Sequence, residues 1–490
     1  MKNYYTNSIT YGLLSIIANS FNNLVKQSLF IQFFFRNLNE YIVFENSYFY
    51  KIAILPIKLL KNISNGIQKH LKESFILNIL NKFILSRLEV MIFLTVFLVP
   101  FIPTKVLLGI ISLNVVLFLV KRMYDNNFKL VCTPMDIFMI LFSMTVVYSG
   151  LTSFTVKSSL SIGILYILFI LFYFVAENTI KSYDSIYYAF VFMVFAGFLV
   201  SLYGIYQHFT LADTVQAWVD TEMFEDIKSR VYSTLDNPNV LGEYLVLLIP
   251  MSIALFWESK KNSQRLIFIV TTITMIVCLV FTYSRGAWLG LMLALFIFVV
   301  FLDKRLILLG VVALLIMPFV LPPSIINRFA SIGNIQDSSS AYRISIWLGS
   351  LGIVKDYWIS GIGMGTEVFK MIYSRYALSA AYALHSHNLY IQLLIEFGIV
   401  GFSLFILMIG VFYKKLIISY KKKSKFISTF MIALCSGLGG YLLQGLVDNI
   451  WYNYKVVFTF WIIITFGMVC YNLINQDLGR ISYDKCDSCN

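Results

Sequence analysis

The hydrophobic residues of this chain form long, almost uninterrupted runs, and short segments rich in Lys, Asn and Pro separate one run from the next. A helix of about twenty mainly apolar residues spans the hydrocarbon core of a bilayer. Twelve runs approach this length and are predicted to be membrane-spanning helices, at 85–102, 104–120, 135–153, 159–176, 186–206, 239–257, 266–284, 286–302, 306–322, 390–413, 427–447 and 456–474. The pattern therefore predicts an all-α, polytopic integral membrane protein.

The composition supports this fold class and removes others. Hydrophobic residues make up 59% of the chain, charged residues make up 13%, and the mean hydropathy is +0.78. Soluble domains are roughly 45–50% apolar and about 25% charged. The net charge of +13 does not indicate a nucleic-acid partner, because the basic residues lie in short loops between apolar runs and not on one folded face. Membrane lipids are the expected partners of most of the surface.

The distribution of Lys and Arg predicts how the chain crosses the membrane. If the N-terminus is cytoplasmic and all twelve runs cross, 27 of the 38 basic residues lie on the cytoplasmic side. Cytoplasmic loops normally carry this excess. Both termini are therefore expected in the cytoplasm, and segments 208–238 and 324–389 are expected outside. The second segment is long enough to carry short helices and a functional site.

Three regions are expected along the chain. Residues 1–84 mix apolar residues with Lys at loosely helical spacing, which indicates either an amphipathic helix on the inner leaflet or a poorly ordered cytoplasmic leader. Residues 85–475 form the transmembrane domain, and residues 476–490 form a cytoplasmic tail. The tail contains Cys486 and Cys489, whose lone CxxC spacing does not define a metal or redox site.

Arg285 is the first candidate for chemistry. It lies in Tyr283-Ser284-Arg285-Gly286, between two apolar runs so close together that its side chain must lie at the outer membrane boundary. A cation at membrane depth is costly and by default marks a functional site. Ser284 supplies a hydrogen-bond donor and Gly286 allows a close backbone approach, which favours anion binding. The alternative is an arginine that extends to the lipid headgroups.

Arg343 is a second cation, in the long external segment. Ser339 and Ser340 precede it and are typical of a capped helix start. Arg343 is therefore expected in the first or second turn of an amphipathic helix, near the end where phosphate binds well. The alternative is a structural salt bridge with Asp337 or Asp356.

The chain has four histidines, and two of them, His385 and His387, stand two positions apart at the end of the same segment. A neutral imidazole beside the membrane can act as a general base toward a sugar hydroxyl, because its ordinary pKa lies near working pH. Two histidines can also bind a metal, but no third ligand with suitable spacing is evident. The sequence therefore predicts no metal site and no cofactor.

Two other features carry weaker signals. Gly361-Ile362-Gly363-Met364-Gly365 lacks the last glycine of a dinucleotide-binding loop and is predicted to form a tight turn before an amphipathic helix. Asp448 and Asn449 stand at the outer end of the eleventh run, from which they can reach an external cavity.

Together, two external cations and a candidate base favour a lipid-linked diphosphate that arrives from the bilayer as the donor substrate. Two arginines can stabilise the charge of a departing diphosphate without a metal. A histidine can at the same time remove the proton from an acceptor hydroxyl that attacks the anomeric carbon.

The same residues resemble the O-antigen ligase and O-antigen polymerase family. The shared stretches, which keep the family's order and spacing, are Tyr283-Ser284-Arg285-Gly286-Ala287-Trp288-Leu289-Gly290, Tyr342-Arg343 with Trp347, Gly361 to Gly365, and His385 to Gln392 followed by Glu396 to Gly401. The resemblance covers roughly residues 185–475. It implies a GT-C-like glycosyltransferase that transfers an undecaprenyl-diphosphate-linked glycan at the outer face of the cytoplasmic membrane.

The resemblance also implies roles for individual residues. Arg285 and Arg343 match the family's arginines that hold the diphosphate. His387 matches the proposed base, His385 has a supporting role, and no metal takes part. The implied partners are an undecaprenyl-diphosphate-linked glycan as donor and a glycan or other surface polymer as acceptor. The shared motifs do not separate a ligase from a polymerase.

A flippase for lipid-linked oligosaccharides is the alternative from another functional class. Many helices and binding of a lipid diphosphate suit it as well, but such transporters carry charged residues along a central pathway and consist of related halves. Here the notable polar residues concentrate outside, and no internal repeat is visible. The transferase is therefore the preferred hypothesis. A non-catalytic scaffold would leave the arginine and histidine motifs without a role.

Overall fold

The computed structural model describes residues 70–125, 131, 133–210, 229–303, 306–320, 322–333, 338–378, 382–420 and 425–477, together with residues 62, 65 and 66. All of them lie in the larger of the chain's two units, residues 61–490. Most of the expected leader and the tail with Cys486 and Cys489 fall outside the described residues.

Where the described residues form regular secondary structure, that structure is helical, which confirms the all-α prediction. A 3₁₀ turn at Leu85–Arg87 separates the first two α-helices. Within the described ranges from residue 70 onward, the α-helices are α1 Phe75–Phe83, α2 Leu88–Leu98, α3 Thr104–Tyr124, α4 Asp136–Leu151, α5 Val156–Thr179, α6 Tyr183–Thr210, α7 Pro238–Glu258, α8 Asn262–Phe281, α9 Arg285–Leu302, α10 Leu306–Val320, α11 Pro323–Ala330, α12 Ser338–Tyr357, α13 Thr366–Tyr373, α14 Leu389–Tyr420, α15 Lys425–Gln444 and α16 Tyr454–Asp477.

Within the described ranges, nine helices are long and apolar enough to cross a membrane: α3, α5, α6, α7, α8, α9, α14, α15 and α16. The chain is therefore a polytopic membrane protein. The other three expected spans also coincide with helices, namely α2, α4 and α10, but these have only 11, 16 and 15 residues. The run at 85–102 gives a short helix because its first residues form a 3₁₀ turn and its last residues form a turn near Pro100.

Helices α7, α15 and α16 form the enclosed centre of the bundle, and α16 is almost completely buried. Membrane helices approach most closely where small residues face each other. Helices α9 and α15 cross in this way, because a Cβ built on Gly290 would lie 2.7 Å from the carbonyl oxygen of Gly440. One turn earlier, a Cβ on Gly286 would lie 3.0 Å from Val447. These contacts fix the start of α9 beside segment 445–453.

Between α10 and α14 the chain forms α11, α12 and α13, with 8, 20 and 8 residues. This confirms the prediction of helices within the long connecting segment. Arg343 is in the second turn of α12, as predicted. Helices α12 and α13 pack around a small apolar core of their own, which includes Ile346, Ile353, Val368, Phe369 and Ile372.

The glycine-rich segment 361–365 forms a turn immediately before the amphipathic helix α13, as predicted. Gly363 has a φ of 104°, and a Cβ at this position would collide with Ser153. The backbone N–H of Gly365 donates to the carboxylate of Glu396 at 3.2 Å. The turn therefore connects α12 and α13 to α14 and to the end of α4, and its glycines have a structural reason.

Candidate functional site

His387 lies directly before α14, in a backbone conformation that its surroundings enforce. Its φ of 47° is in the left-handed region, which is uncommon for residues other than glycine. The indole N–H of Trp347, on α12, donates to the His387 carbonyl oxygen at 3.2 Å. Its imidazole Nδ1 is 3.3 Å from Oδ1 of Asp448. Helix α12 and segment 445–453 thus hold the residue from two directions.

Asn388 fixes the position of segment 385–388 between the start of α14 and segment 445–453. Its Oδ1 accepts from the backbone N–H groups of Tyr390 and Ile391, at 2.9 and 3.1 Å, and thereby caps the start of α14. Its Nδ2 donates to the carbonyl oxygen of Leu446 at 2.7 Å. One side chain therefore begins the helix and also joins it to the segment that carries Asp448.

Asp448 is the residue that connects the site. Its Oδ1 accepts from the backbone N–H of Asn449 at 2.9 Å, and its Oδ2 accepts from Nδ2 of Asn239 at 2.9 Å. Nη2 of Arg343 lies 3.6 Å from the same Oδ2. Burial alone would raise the pKa of the Asp448 carboxyl, but the hydrogen bond with His387 and the charge of Arg343 outweigh it and lower this pKa. The carboxyl is therefore ionised at neutral pH.

The ion pair corrects the alternative that sequence offered for Arg343. Asp356, one of the two suggested partners, instead accepts from the hydroxyl of Tyr376 at 2.6 Å. Asp337, the other, lies outside the described residues. The partner that the structure gives Arg343 is Asp448 and not Asp356, because the second turn of α12 faces the end of α15, which lies about a hundred residues further along the chain.

Arg285 is the first residue of α9, after a turn in which Tyr283 has a left-handed φ of 48°. Its Nη1 donates to the backbone oxygen of Ser331 at 3.2 Å and to the Ser331 hydroxyl at 3.0 Å. Because Ser331 directly follows α11, this contact directs the guanidinium toward α11. A side chain that serves only to reach lipid headgroups does not require such a contact.

Arg230, which sequence analysis did not select, is a third arginine of the site. Its Nε donates to the carbonyl oxygen of Thr282 at 2.8 Å, and its Nη2 donates to Oδ1 of Asn239 at 2.8 Å. Burial first, and then the charges of Arg328 and Arg343, lower the pKa of Arg230 to about 9. The guanidinium groups are therefore close enough to repel one another.

Arg328, on α11, is the fourth arginine and is buried. Its carbonyl oxygen accepts from the hydroxyl of Ser331 at 2.8 Å, and the same serine receives Arg285. Arg230, Arg285, Arg328 and Arg343 form what is called here the arginine cluster. Guanidinium groups bind phosphate oxygens through planar, charge-assisted hydrogen bonds, so the cluster has the chemistry of a phosphate site.

His385 supports the geometry of His387. The two ring centroids are 4.1 Å apart, and Nδ1 of His385 accepts from the backbone N–H of His387 at 3.3 Å. Burial first, and then the charges of His387 and Arg343, lower the pKa of His385 to about 3. At neutral pH this histidine is therefore uncharged and acts as a hydrogen-bond acceptor.

The ligand atoms of His385, His387 and Asp448 all lie within 4.8 Å of one another, a spacing that can hold a metal ion. Asp448 is thus the third potential ligand that the sequence spacing did not reveal. Asn239 and Arg343 contact the same carboxylate, so a metal would compete with both for its oxygens.

The structure brings together all four residues selected from the sequence and adds Asp448, Asn239, Arg230 and Arg328. Asp448 had been noted only for its position at the outer end of a helix. Asn239 stands two positions after Asn237, the residue that caps α7, and the sequence gives it no other mark. Arg230 lies in segment 208–238, where acidic residues outnumber basic ones, and no motif marks it in the sequence. The signal that could have found Asn239 and Asp448 is a polar residue at the end of an apolar run.

The fold and the site together define a polytopic, helical membrane protein with an arginine cluster around an Asp–His pair. Residues 270–406 match the family model described as O-antigen ligase. The match includes Arg285, Arg343, His385 and His387, and it confirms the resemblance found in the motifs. Residues 270–406 are therefore similar to the O-antigen ligase family, and this similarity supports a glycan-processing role in the membrane.

No curated protein matches the chain. Asp448 and the helix that begins at Pro238 lie outside the matched residues. Their part in the site is therefore an observation from the structure alone.

Proposed function

We propose that the protein is a membrane glycosyltransferase that transfers or polymerises an undecaprenyl-diphosphate-linked glycan at the outer face of the cytoplasmic membrane. The observation that carries the proposal is the position of Asp448, which lies 3.3 Å from His387 and 3.6 Å from Arg343. A candidate base and a phosphate-binding cation thus share one carboxylate. General-base and leaving-group chemistry need this proximity.

The arginine cluster is the proposed diphosphate site. Arg285 and Arg343 hold the leaving diphosphate, and Arg230 and Arg328 add positive charge behind them. As the bond between the anomeric carbon and the phosphate oxygen breaks, the electron pair remains on the diphosphate. Preorganised guanidinium groups stabilise this developing charge without reorganisation of solvent.

His387 is the proposed general base. Asp448 accepts a hydrogen bond from Nδ1–H of His387, which leaves the unprotonated Nε2 as the acceptor for the proton of the attacking hydroxyl. The hydroxyl oxygen forms a bond to the anomeric carbon as its proton moves to Nε2. The products are the extended or transferred glycan, undecaprenyl diphosphate, and a proton that His387 later releases to solvent.

The orientation of the site supports its placement at the outer face. Helix α7 begins at the site and ends close to the basic segment 260–265, and α14 also begins at the site and runs to the basic segment 414–425. Basic loops are typical of the cytoplasmic side. With the site at the opposite ends of these helices, both termini are proposed to be cytoplasmic.

The proposed mechanism uses no metal, because the arginine cluster supplies the positive charge that a metal would otherwise provide. The choice between ligase and polymerase depends on the acceptor, which is a glycan or another surface polymer. A lipid-linked oligosaccharide flippase remains the alternative from another class.

A reconstituted assay tests this proposal. The full chain, in vesicles with EDTA, receives lipid-linked glycan extracted from its host, and both glycan length and free undecaprenyl diphosphate are followed. We expect activity in wild type, and its loss in His387→Ala and Arg285→Ala but not in the exposed controls His70→Ala and Arg87→Ala. Longer lipid-linked chains indicate a polymerase, and turnover only with an added acceptor indicates a ligase. Lipid movement across the vesicle without chemistry would sink the proposal and support the flippase.

A further inference from the structure

Two tyrosines that the mechanism does not use stand on either side of the histidine pair. The ring of Tyr342, on α12, lies 6.1 Å from that of His387 in an edge-on arrangement. The ring of Tyr452, in segment 445–453, lies 4.6 Å from that of His385. The two tyrosines therefore contact the histidine pair from separate elements of the fold, Tyr342 at His387 and Tyr452 at His385.

Both rings are held in place and yet remain accessible. The hydroxyl of Tyr342 donates to the carbonyl oxygen of Tyr382, and the backbone N–H of Tyr452 donates to the carbonyl oxygen of Asn449 at 3.0 Å. Tyr342 is 41% exposed and Tyr452 is 38% exposed. A rigid ring with an open surface, beside a reactive group, is suited to contact a substrate and not to fill a core.

Tyr382 lies near Tyr342, but its ring is less suited to contact a substrate. The Lys370 ammonium lies 4.7 Å from the centroid of its ring. This cation–π contact covers one face. Tyr382 positions Tyr342 through its carbonyl oxygen instead.

We propose that Tyr342 and Tyr452 form the two sides of a subsite that binds one sugar ring of the acceptor. This inference rests on the proposed function. A pyranose ring has an apolar face of C–H groups that packs against an aromatic ring, while its hydroxyls remain available for hydrogen bonds. Because Asp448 occupies Nδ1 of His387, the attacking hydroxyl must approach from the Nε2 side. The two tyrosines orient the sugar for this approach.

Tyrosines at a membrane surface also serve as interfacial anchors, which is the competing explanation. The two explanations differ in what they require of the side chain. An anchor tolerates Leu, because Leu also favours the apolar side of the interface. A sugar-stacking surface requires an aromatic ring and therefore tolerates Phe but not Leu.

The test compares Tyr452→Leu, Tyr342→Leu and Tyr452→Phe in the transfer assay, with the oligosaccharide released by mild acid from the host's lipid-linked glycan as acceptor. Tyr148→Leu, on α4, is the control because Tyr148 is 51% exposed. We expect KM for the acceptor to rise roughly three- to tenfold in each of the first two variants, with KM for the donor unchanged. Tyr452→Phe and the control should match wild type. Equal KM values in Tyr452→Leu and wild type would overturn the subsite.

A failure of the proposed function gives a different result. If wild type shows no transfer, saturation-transfer NMR with the same oligosaccharide measures binding directly, with irradiation of the protein's aromatic protons. If saturation passes to the sugar C–H protons in wild type but not in Tyr452→Leu, the result supports a glycan-binding site in a protein that is not a transferase. If no saturation reaches the sugar protons in wild type, the subsite is overturned.

Discussion

The imidazole of His387 and the carboxylate of Asp448 are 3.3 Å apart, although 61 residues separate them in the chain. Two contacts keep the pair together: Leu389 N–H donates to the Gly445 carbonyl oxygen at 2.8 Å, and Asn388 Nδ2 donates to the Leu446 carbonyl oxygen at 2.7 Å. An ionised carboxylate at Nδ1 fixes the imidazole orientation and tautomer. The pair therefore makes His387 ready to accept a proton at Nε2.

Replacement of Asp448 by Asn tests this role. Asp448→Asn keeps the size of the side chain but removes the charge that orients the imidazole and pairs with Arg343. We expect kcat to fall by about 10- to 100-fold, by analogy with carboxylates that orient metal-bound histidines. The measurement is the initial rate of undecaprenyl diphosphate release at saturating donor. A variant with wild-type kcat would show that the pair has no part in catalysis.

Arg328 should contribute to donor binding although its position was not predicted. Arg328→Ala removes one guanidinium from the arginine cluster, and hydrogen bonds to charged groups contribute about 1.5–3 kcal/mol. We therefore expect the apparent affinity for the lipid-linked donor to fall roughly tenfold or more. Arg328→Lys should recover part of it, because Lys keeps the charge. If Arg328→Ala and the exposed Arg87→Ala behave alike, Arg328 is not part of the diphosphate site.

His385 makes stability depend on pH. Its pKa is 6.5 for the free side chain and about 3 in the folded protein. Between these two pH values the unfolded chain binds a proton at His385 that the folded chain does not bind. The contribution of neutral His385 to the free energy of unfolding is therefore complete above pH 6.5 and declines as the pH falls toward 3. We expect Tm in detergent to decrease less steeply over this range in His385→Asn than in wild type. Parallel curves would contradict the assignment of His385 as a neutral, enclosed acceptor.

The close crossing of α9 and α15 should affect both the stability of the protein and its transfer activity. Gly290→Ala places a methyl group 2.7 Å from a backbone oxygen, which cannot move aside as a side chain can. Overpacking of this kind costs about 1–3 kcal/mol. We expect a lower Tm and reduced transfer, because α9 carries Arg285. Gly310→Ala, on α10, is the control, since a Cβ there would have no neighbour within 4 Å. Equal effects in both variants would argue against the crossing.

Metal chelation distinguishes the proposed metal-free mechanism from one that uses a metal ion bound by His385, His387 and Asp448. Because the arginine cluster supplies the positive charge, we expect EDTA to leave the transfer rate unchanged. Added Zn²⁺ should inhibit wild type by occupying His385, His387 and Asp448, and it should inhibit His385→Ala less. Loss of activity in EDTA that Zn²⁺ restores would show instead that these three residues form a working metal site.

Local chemistry was sufficient to predict much of the fold and half of the site. Apolar runs of membrane length located the helices, and Arg285, Arg343 and His387 stood out because charged or titratable side chains are rare at such positions. The length of α2 was overestimated, because apolar residues also form the turn at its end. Hydropathy does not distinguish a turn at the membrane surface from the last turn of a helix.

The partners of these residues could not be predicted, for a physical reason. Asp448 reaches His387 because segment 445–453 packs against the start of α14, and one sequence does not reveal which helix ends lie side by side. Asn239 joins Arg230 to Asp448 across three elements, a relationship that depends on helix packing. Sequence spacing predicts contacts along one element, whereas this site consists of contacts between the ends of several.

The most direct test of the central claim is to follow the phosphorus signals of the lipid in vesicles that contain the full chain. As the glycan is transferred, the ³¹P resonances of the glycosyl diphosphate should convert to those of free undecaprenyl diphosphate. We expect this conversion with wild type, and a rate lower by roughly 100- to 10,000-fold with His387→Ala, the usual contribution of a general base. Conversion at the same rate in both proteins, or none in wild type with the host's own donor and acceptor present, would contradict the account.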